Sequence, residues 1–448
     1  MTSWLVLPSP PTGNNRHIEL AGTDLWITGC INNVFVYLSA LDVDKFKEAL
    51  SRTLSLWPFI AGRFLVLDGE HYIIEMSDNA IPVSLIENNV LTNWPLDSNV
   101  VIDKNSNQLQ PYLDEVQTKK LIGGSRDEPL VRLKLYHLVQ SGEWIMGASW
   151  SHILGDADAF LHFLNTISHL YQQMQPLKPM PVFERRLWLK EEADERLLPD
   201  IKQFLDGEQM KTNGINDQVT YDQLNICFSE QQLIKLRTLI GGQYVSTQDA
   251  LSAYIILTLN THCTQNDDQL IVRTNTMINY RNVSDSVAPS GLVANAVLMP
   301  LSDRFEDPKS LSSIAKTIRN SINQSRNVEF IERWVATADK VIRTIVHENR
   351  LPKMSTIKDQ IVVNSNVRYD WANLVDFGHT DKCRFYTIWT RALYLRIFRL
   401  NPIYDGTQWL GRDQNGAEVA FRVEKDKKEK FIKAWQKDIV ENFINVKL

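Results

Sequence analysis

Apolar residues recur at helical spacing in the N-terminal segment "LDVDKFKEALSRTLSLWPFIAGRF". The positions that would share one helix face are Phe46, Leu50, Leu54 and Trp57. Asp42 stands where an N-cap is expected, and Pro58 and Gly62 mark the end of the pattern. The segment therefore predicts a helix capped by Asp42, followed at "RFLVL" by a strand.

Two apolar runs in "VRLKLYHLVQSGEWIMGASWS" are separated by Ser141 and Gly142, a pair typical of a tight turn. They predict a hairpin whose second strand ends at His152. From Asp156 onward the apolar period becomes helical, and one face would carry Phe160, Leu161, Leu164, Ile167 and Leu170. His152 thus lies where a buried strand passes directly into a helix.

A stretch rich in proline and then in charge, "QQMQPLKPMPVFERRLWLKEEADERLLPD", follows that helix and predicts a linker. We divide the chain into an N-terminal lobe (1–175), a linker (176–215) and a C-terminal lobe (216–448). In the last part, helices are predicted at "SEQQLIKLRTLI" and "STQDALSAYIILTLNTH", and strands at "QLIVRTNTMINYR", "ANAVLMP", "QIVVNSNV", "LYLRIFRLNP" and "EVAFRVE". Because helices and strands do not alternate strictly, we predict an α/β fold with mixed sheets in two lobes.

The composition narrows the class of protein. Of the 448 residues, 44% are hydrophobic and 23% are charged, as in soluble globular proteins, and the length suits two or three domains. A formal net charge of −5 without a basic stripe argues against nucleic-acid binding. The four cysteines lack metal-ligand spacing, and the N-terminus lacks the pattern of a signal peptide. We expect a cytoplasmic protein without a metal.

Several familiar motifs are missing or incomplete. The sequence contains neither a P-loop nor G-x-G-x-x-G, and "DFG" at 376–378 lacks the other kinase motifs. "GASWS" comes close to the G-x-S-x-G elbow of serine hydrolases but ends in serine. A hydrolase with Ser149 as nucleophile therefore stays an alternative.

The residues around His152 allow two interpretations. A histidine at the rim of a buried strand is partly desolvated, which favours the neutral imidazole that accepts a proton. Asp156 and Asp158 would occupy the first turn of the next helix, where carboxylates are favoured. On these residues alone, His152 is either a general base or a structural histidine beside a capping aspartate.

Five short segments, taken in order, resemble the BAHD family of acyl-CoA-dependent acyltransferases. They are "WPFIAGR" (57–63), "HILGD" (152–156), "STQDALSA" (246–253), "MINYR" ending at Arg281 with "VANAV" around Asn295, and "DFGHT" (376–380). The resemblance extends from end to end of the chain. It implies a two-lobed, chloramphenicol-acetyltransferase-like architecture with the active site in a tunnel between the lobes, open on opposite faces.

The resemblance also implies a role for each matching residue. His152 would be the general base, and Asp156 would pair with Arg281 and fix the loop that aims the imidazole. Ser365 would donate a hydrogen bond to the oxyanion. Ser246 and Thr247, at a helix N-terminus, would bind an anionic group of CoA. Asp376 and Gly378 would support the architecture.

The sequence departs from the family pattern in several places. "DFGHT" has His379 and Thr380 where the family has tryptophan and glycine, and we interpret His379 as structural. The tryptophan usual near the oxyanion donor is absent, so Trp371 is an open substitute. Ser151, where condensation domains carry a second histidine, argues against that branch.

We therefore predict a monomeric O-acyltransferase of specialised metabolism that binds neither membranes nor nucleic acid. It would use acyl-CoA, by default acetyl-CoA, a small-molecule alcohol, and no covalent acyl-enzyme. An N-acyltransferase on the same scaffold and a non-catalytic small-molecule binding protein stay as alternatives.

Overall fold

The computed structural model describes residues 1–38, 40–103, 107–176, 178–205, 208–209, 221–242, 244–264, 266–378 and 382–443. The strands are β1 (Thr2–Val6), β2 (His17–Glu19), β3 (Cys30–Tyr37), β4 (Arg63–Leu67), β5 (His71–Glu75), β6 (Ile81–Asn88), β7 (Val101–Ile102), β8 (Val131–Leu138), β9 (Glu143–Ser151), β10 (Glu208–Gln209), β11 (Tyr221–Phe228), β12 (Arg273–Thr276), β13 (Ile278–Asn279), β14 (Val297–Leu298), β15 (Arg350–Leu351), β16 (Gln360–Ser365), β17 (Arg384–Ile388), β18 (Tyr394–Arg399), β19 (Ile403–Tyr404), β20 (Trp409–Leu410) and β21 (Ala417–Glu424).

The helices are α1 (Val43–Leu56), α2 (Pro58–Ala61), α3 (Thr118–Ile122), α4 (Ala157–Tyr171), α5 (Leu198–Phe204), α6 (Glu230–Leu239), α7 (Thr247–Thr258), α8 (Leu311–Ser325), α9 (Val328–His347), α10 (Trp371–Leu374) and α11 (Lys425–Asp438). Within the described ranges, no helix has the length and apolar character needed to cross a bilayer.

Helix α1 forms where the apolar period predicts it. The Asp42 side chain caps it by accepting hydrogen bonds from the backbone N–H groups of Asp44 and Lys45, both at 3.0 Å. The predicted apolar face is fully buried. The end of the helix differs by one residue from the prediction, because Pro58 opens the short helix α2 after a break at Trp57.

The predicted hairpin is also present. Strands β8 and β9 pair in antiparallel fashion from Val131 opposite Trp150 to Leu138 opposite Glu143. Gly142 supplies the positive φ of +76° that the turn requires. All residues of β9 are buried, as expected for a strand without polar alternation.

Two mixed sheets form the framework of the described residues. One has seven strands in the order β1-β6-β8-β9-β3-β17-β7, and the other has five in the order β11-β21-β18-β16-β12. Parallel and antiparallel neighbours occur in both, for example β6 with β8 and β8 with β9 in the first. Apolar residues of both sheets and of the helices join in one large core.

The strands do not follow the predicted boundary at residue 216. β17 comes from the C-terminal part of the chain, yet it pairs with β3 and β7 in the sheet that N-terminal strands otherwise form. Strand pairings across more than 280 residues of sequence leave no local pattern, so neither composition nor periodicity could have predicted them. The two parts of the chain are therefore interlocked.

A buried ion pair secures the crossing strand. Arg384 at the start of β17 has a fully buried side chain that pairs with Glu143 at the start of β9. Its guanidinium carbon also lies 3.9 Å from the centre of the Trp409 ring. Removing one partner of such a pair leaves an uncompensated buried charge.

We predict that Glu143→Gln lowers the free energy of unfolding by ~3–5 kcal/mol, because Arg384 then stays charged without a partner. Chemical denaturation measures this. Glu184→Gln is the matched control, because Glu184 and its partner Arg16 have side chains that are 58% and 56% exposed. Exposed pairs contribute ~0–1 kcal/mol. Equal losses in the two variants would contradict a structural role of the Glu143–Arg384 pair.

Candidate active site

A cavity of about 800 Å³ lies between the two large sheets. Its walls include Asn32 and Asn33 of β3 on one side and Asn364 and Ser365 of β16 on the other. His152, half-buried just after β9, also lines it. Exposed side chains line the same cavity, namely Arg326, Arg368 and Trp389. The cavity therefore connects His152 with the protein surface.

Hydrogen bonds fix the imidazole of His152 and its tautomer. Asn295 donates through Nδ2 to the backbone carbonyl of His152 at 2.7 Å, which orients the amide. Its Oδ1 then faces Nδ1 of the ring at 3.2 Å. Because a carbonyl oxygen only accepts, Nδ1 carries the proton, and Nε2 of the neutral ring is the acceptor.

The electrostatics of the cavity keep this imidazole neutral. Burial lowers the pKa of His152 below its usual value of 6.5; the Asn295 hydrogen bond and the Asp156 carboxylate oppose the shift, and the positive charge of Arg396 adds to it. A ring that is unprotonated at pH 7 with a free Nε2 is competent to take a proton.

The backbone beside His152 is tightly packed. The His152 N–H donates to the carbonyl of Gly29 at 2.9 Å. A Cβ on Gly29 would lie 3.0 Å from Cδ2 of the ring. At Gly155 the backbone has φ of +148°, and a Cβ there would lie 2.9 Å from the carbonyl of Ala294. The loop between β9 and α4 thus depends on Gly155 within it and on Gly29, which packs against the His152 ring. Neither glycine was among the predicted site residues.

Asp156 also lines the cavity, and both of its carboxylate oxygens are engaged by protein donors. Oδ1 caps α4 by accepting from the N–H groups of Asp158 and Ala159 at 3.1 and 3.2 Å. Oδ2 accepts from Arg281 at 2.8 Å and from the Ala296 N–H at 2.9 Å. The ion pair that the family resemblance implied is therefore present.

Arg281 uses its remaining donors on the same loop. Nε donates to the carbonyl of Leu292 at 2.9 Å, and Nη2 donates to that of Ala294 at 2.7 Å. Burial alone would lower the pKa of Arg281, but the carboxylates of Asp156 and Asp158 outweigh it and raise the pKa. The pair joins the start of α4 to the loop that carries Asn295.

A second buried ion pair, between Asp24 and Arg185, fixes the backbone of Asn295. The Asn295 N–H donates to Oδ1 of Asp24 at 2.8 Å. The other carboxylate oxygen of Asp24 lies 2.7 Å from Nε of Arg185. Both side chains are buried, so the residue that orients His152 is itself fixed. The "VANAV" segment was the signal for Asn295, but the residues alone did not reveal this contact.

Ser365, the predicted oxyanion donor, lies in the same cavity as His152. It is the last residue of β16 and is half-buried. Its hydroxyl has one long contact, 3.5 Å from the Val367 N–H, so it can donate elsewhere. Trp371 also lines the cavity, stacked on Phe385 at 5.3 Å.

Ser246 and Thr247 occupy the predicted helix start but do not line the cavity, which Gln248 does. The Ser246 hydroxyl accepts from the Asp249 N–H at 3.2 Å and donates to its carboxylate at 2.8 Å, as in a capping box. Arg319 bonds the same two side chains. A protein carboxylate already occupies this helix N-terminus, so CoA binding by Ser246 and Thr247 stays a prediction that these contacts do not support.

The "DFG" residues lie outside the cavity wall. The backbone carbonyl of Asp376 accepts from Ser168 and Gln172 of the α4 region, and its side chain accepts from the Gly378 N–H at 3.0 Å. Gly378 has φ of +94°. These contacts suit the structural support that was predicted. His379 and Thr380 lie outside the described residues.

Ser149, the alternative nucleophile, does not lie on the sharp strand-to-helix turn that exposes the serine of such hydrolases. Ser149 is fully buried in the middle of β9, with no turn beside it, and its hydroxyl accepts from the Val116 N–H at 3.0 Å. In the described part of the chain, no group of three or more His, Cys, Asp or Glu side chains is arranged to hold a metal ion.

A family model described as the transferase family matches residues 1–386. The chain belongs to this family, the BAHD acyltransferases. It is therefore an acyl-CoA-dependent acyltransferase, and the predicted mixed α/β fold is confirmed. The search of curated proteins found no match.

Solved structures share the fold of this BAHD protein at low sequence identity. Vinorine synthase has a TM-score of 0.63 at 14% identity, over 96% of this chain and 95% of that chain. TRI101 of F. graminearum complexed with ethyl coenzyme A has a TM-score of 0.62 at 13% identity, over 94% of this chain and 98% of that chain. TRI101 complexed with coenzyme A and T-2 mycotoxin has a TM-score of 0.63 at 13% identity over the same shares, 94% and 98%.

We predict that Asp156→Asn lowers the free energy of unfolding by ~3–5 kcal/mol, because it leaves the buried Arg281 without its closest counter-charge. The matched control is Asp42→Asn at the cap of α1, where asparagine caps as well as aspartate does and the structure shows no ion pair among the described residues. This control should change stability by only a few tenths of a kcal/mol. If Asp156→Asn loses as little stability as this control in urea denaturation, the ion pair contributes little. Asp156 would then stabilise the fold as a helix cap, a role that asparagine keeps.

Proposed function

We propose that this BAHD enzyme transfers an acyl group from acyl-CoA to a hydroxyl group of a small metabolite, with His152 as general base. The observation that carries the proposal is the orientation of His152. Asn295 holds Nδ1, so Nε2 is the proton acceptor, in a cavity that both sheets line and that reaches the surface.

In the proposed reaction, Nε2 of His152 takes the proton of the acceptor hydroxyl as its oxygen attacks the thioester carbonyl carbon. The C–O bond forms, the tetrahedral intermediate collapses, and the C–S bond breaks. The departing thiolate takes the proton from the imidazolium and leaves as free CoA. No acyl-enzyme is needed, because the base and the two substrates suffice for the step.

The negative charge of the tetrahedral intermediate requires hydrogen-bond donors. Ser365 is the proposed donor, because its half-buried hydroxyl makes one long contact among the described residues and lines the cavity with His152. Asn364 is less available, because its amide already donates to the Tyr394 hydroxyl at 2.8 Å.

The cavity also suits the two parts of an acyl-CoA. Exposed Arg326 and Arg368 on its wall could pair with phosphates. Apolar side chains line other parts of the wall and suit a pantetheine arm, among them Met277, Ile278, Val297, Trp334 and Ile342. An acetyl group is the default donor, and the structural neighbour TRI101 was solved with coenzyme A.

We predict that His152→Ala lowers the rate of acceptor-dependent CoA release by ~10²–10⁴, the contribution of positioned proton transfer. Thiol release from a panel of acyl-CoAs and alcohols measures it, and the melting temperature should stay close to that of the wild type. His71→Ala is the matched control, because the His71 side chain is 58% exposed. Activity retained by His152→Ala would exclude this histidine as the base.

The pH dependence provides a separate test. Because burial lowers the pKa of His152 below 6.5, kcat/KM should rise with pH through an ionisation below 6.5 and be level at neutral pH. Asn295→Leu keeps the branched shape and the number of side-chain heavy atoms but removes the hydrogen bond that favours the charged ring. The acid limb should therefore move to lower pH, an effect that a purely structural role of Asn295 would not produce. An unmoved or raised limb would contradict the assigned contact.

A further inference from the structure

Arg396 is a buried cation without a counter-ion. Most buried arginines of the described chain pair with a carboxylate: Arg281 with Asp156, Arg384 with Glu143, and Arg412 with Asp370. Arg396 is only 9% exposed, and no described carboxylate lies within 4.0 Å of it. Burial lowers the pKa of Arg396 to about 10, so the group is still charged at neutral pH.

Arg396 lies on the cavity wall beside the proposed reaction centre. Strand β18 places it opposite Asn364 of β16, the neighbour of Ser365. Its charge is also one of the influences on the pKa of His152. Arg422 is a second buried arginine of the cavity wall without an ion pair among the described residues. Arg396, however, is the one that pairs in register with Asn364 and whose charge influences the pKa of His152.

The hydrogen bonds of Arg396 leave one edge of the guanidinium, whose Nε is buried, without a strong partner among the described residues. Nη1 donates to the backbone carbonyls of Ile388 and Trp389, both at 2.7 Å. Nη2 makes only a long contact of 3.5 Å with the Thr387 hydroxyl. Nε has no hydrogen-bond partner among the described residues. The Nε and Nη2 hydrogens of a guanidinium point in the same direction and match the two oxygens of a carboxylate.

We propose that Arg396 binds a carboxylate carried by one of the two substrates. The inference rests on the acyl-transfer function proposed above and narrows its substrate class. A buried charge that lacks a partner destabilises the fold, whereas a substrate carboxylate would supply both the missing charge and the missing acceptors. The CoA phosphates do not suit the position, because the pantetheine arm separates them from the thioester.

The carboxylate belongs either to the acceptor or to the acyl group of the donor. Pairs of substrates with and without a carboxylate distinguish these two cases. One arm compares a hydroxy acid with its methyl ester, using a neutral acyl-CoA. The other compares succinyl-CoA with butyryl-CoA, using a neutral alcohol. Free thiol is measured for the wild type, Arg396→Gln, Arg396→Lys and the control Arg304→Gln, whose arginine has a 62% exposed side chain and lies outside the cavity wall.

In the arm whose substrate pair carries the carboxylate that Arg396 binds, the wild type should have a higher kcat/KM for the carboxylate-bearing substrate than for the neutral one. Arg396→Gln should reduce that preference about 100-fold, because the carboxylate-bearing member loses a partner that the neutral member never had. Arg396→Lys keeps the charge but loses the two parallel N–H donors, so it should retain part of the preference. If Arg396→Gln does not fold, Arg396→Lys is compared with the wild type instead. Arg304→Gln should match the wild type.

Three results would overturn the proposal. Equal kcat/KM for both members of each pair in the wild type would show that no carboxylate is recognised. An equal loss for both members in Arg396→Gln would assign Arg396 to the oxyanion or to the fold. No thiol release from any pair by the folded wild type would remove the acyl-transfer function itself, and this inference with it.

Discussion

The active site depends on the buried ion pair between Asp156 and Arg281. Each oxygen of Asp156 accepts two hydrogen bonds, from the first turn of α4 on one side and from Arg281 and Ala296 on the other. The same contacts join the end of β9, the start of α4 and the loop around Asn295. A buried pair is stable only when its remaining donors and acceptors are satisfied, and here the backbone carbonyls of the loop satisfy Arg281. The rigidity of the proposed base therefore comes from a group that is not required to touch substrate.

The cavity exists because two sheets of one chain are interlocked. Its proposed base follows β9 of the seven-stranded sheet, whereas the proposed oxyanion donor ends β16 of the five-stranded sheet. Their separation would be free to vary if only a linker joined the sheets. Strand β17 prevents this, because it comes from the C-terminal part of the chain and pairs with β3, one of the strands that line the cavity. The separation of the two proposed catalytic residues therefore depends on the strand order of the seven-stranded sheet.

Local patterns predicted the local structure well. The period of α1, the turn at Gly142 and the junction at His152 each depend on residues close in sequence, and the structure has all three. Helices α8 and α9 were not predicted, although apolar Ile314, Ile318 and Ile322 recur along α8 and could have revealed it. The Asp156–Arg281 pair came from family resemblance, because residues 125 apart show no joint signal. Asn295 and Arg396 gained their roles only from contacts across the fold, and Ser246 proved to be engaged by Asp249 for the same reason.

The charges around His152 set how strong a base it can be. Asp156 favours protonation of the ring, but Arg281 already neutralises much of that carboxylate, while Arg396 opposes protonation and has no ion-pair partner in the described part of the chain. A weak base and an unpaired cation thus line the same cavity. A carboxylate bound at Arg396 would offset the cation and remove one of the influences that lower the pKa of His152, while burial, the larger influence, would stay. The proposed substrate group would in this way strengthen the base only in the complex, where the acceptor hydroxyl is present to be deprotonated. Recognition and proton transfer would then be coupled through one guanidinium, whose other donors hold the backbone carbonyls of Ile388 and Trp389.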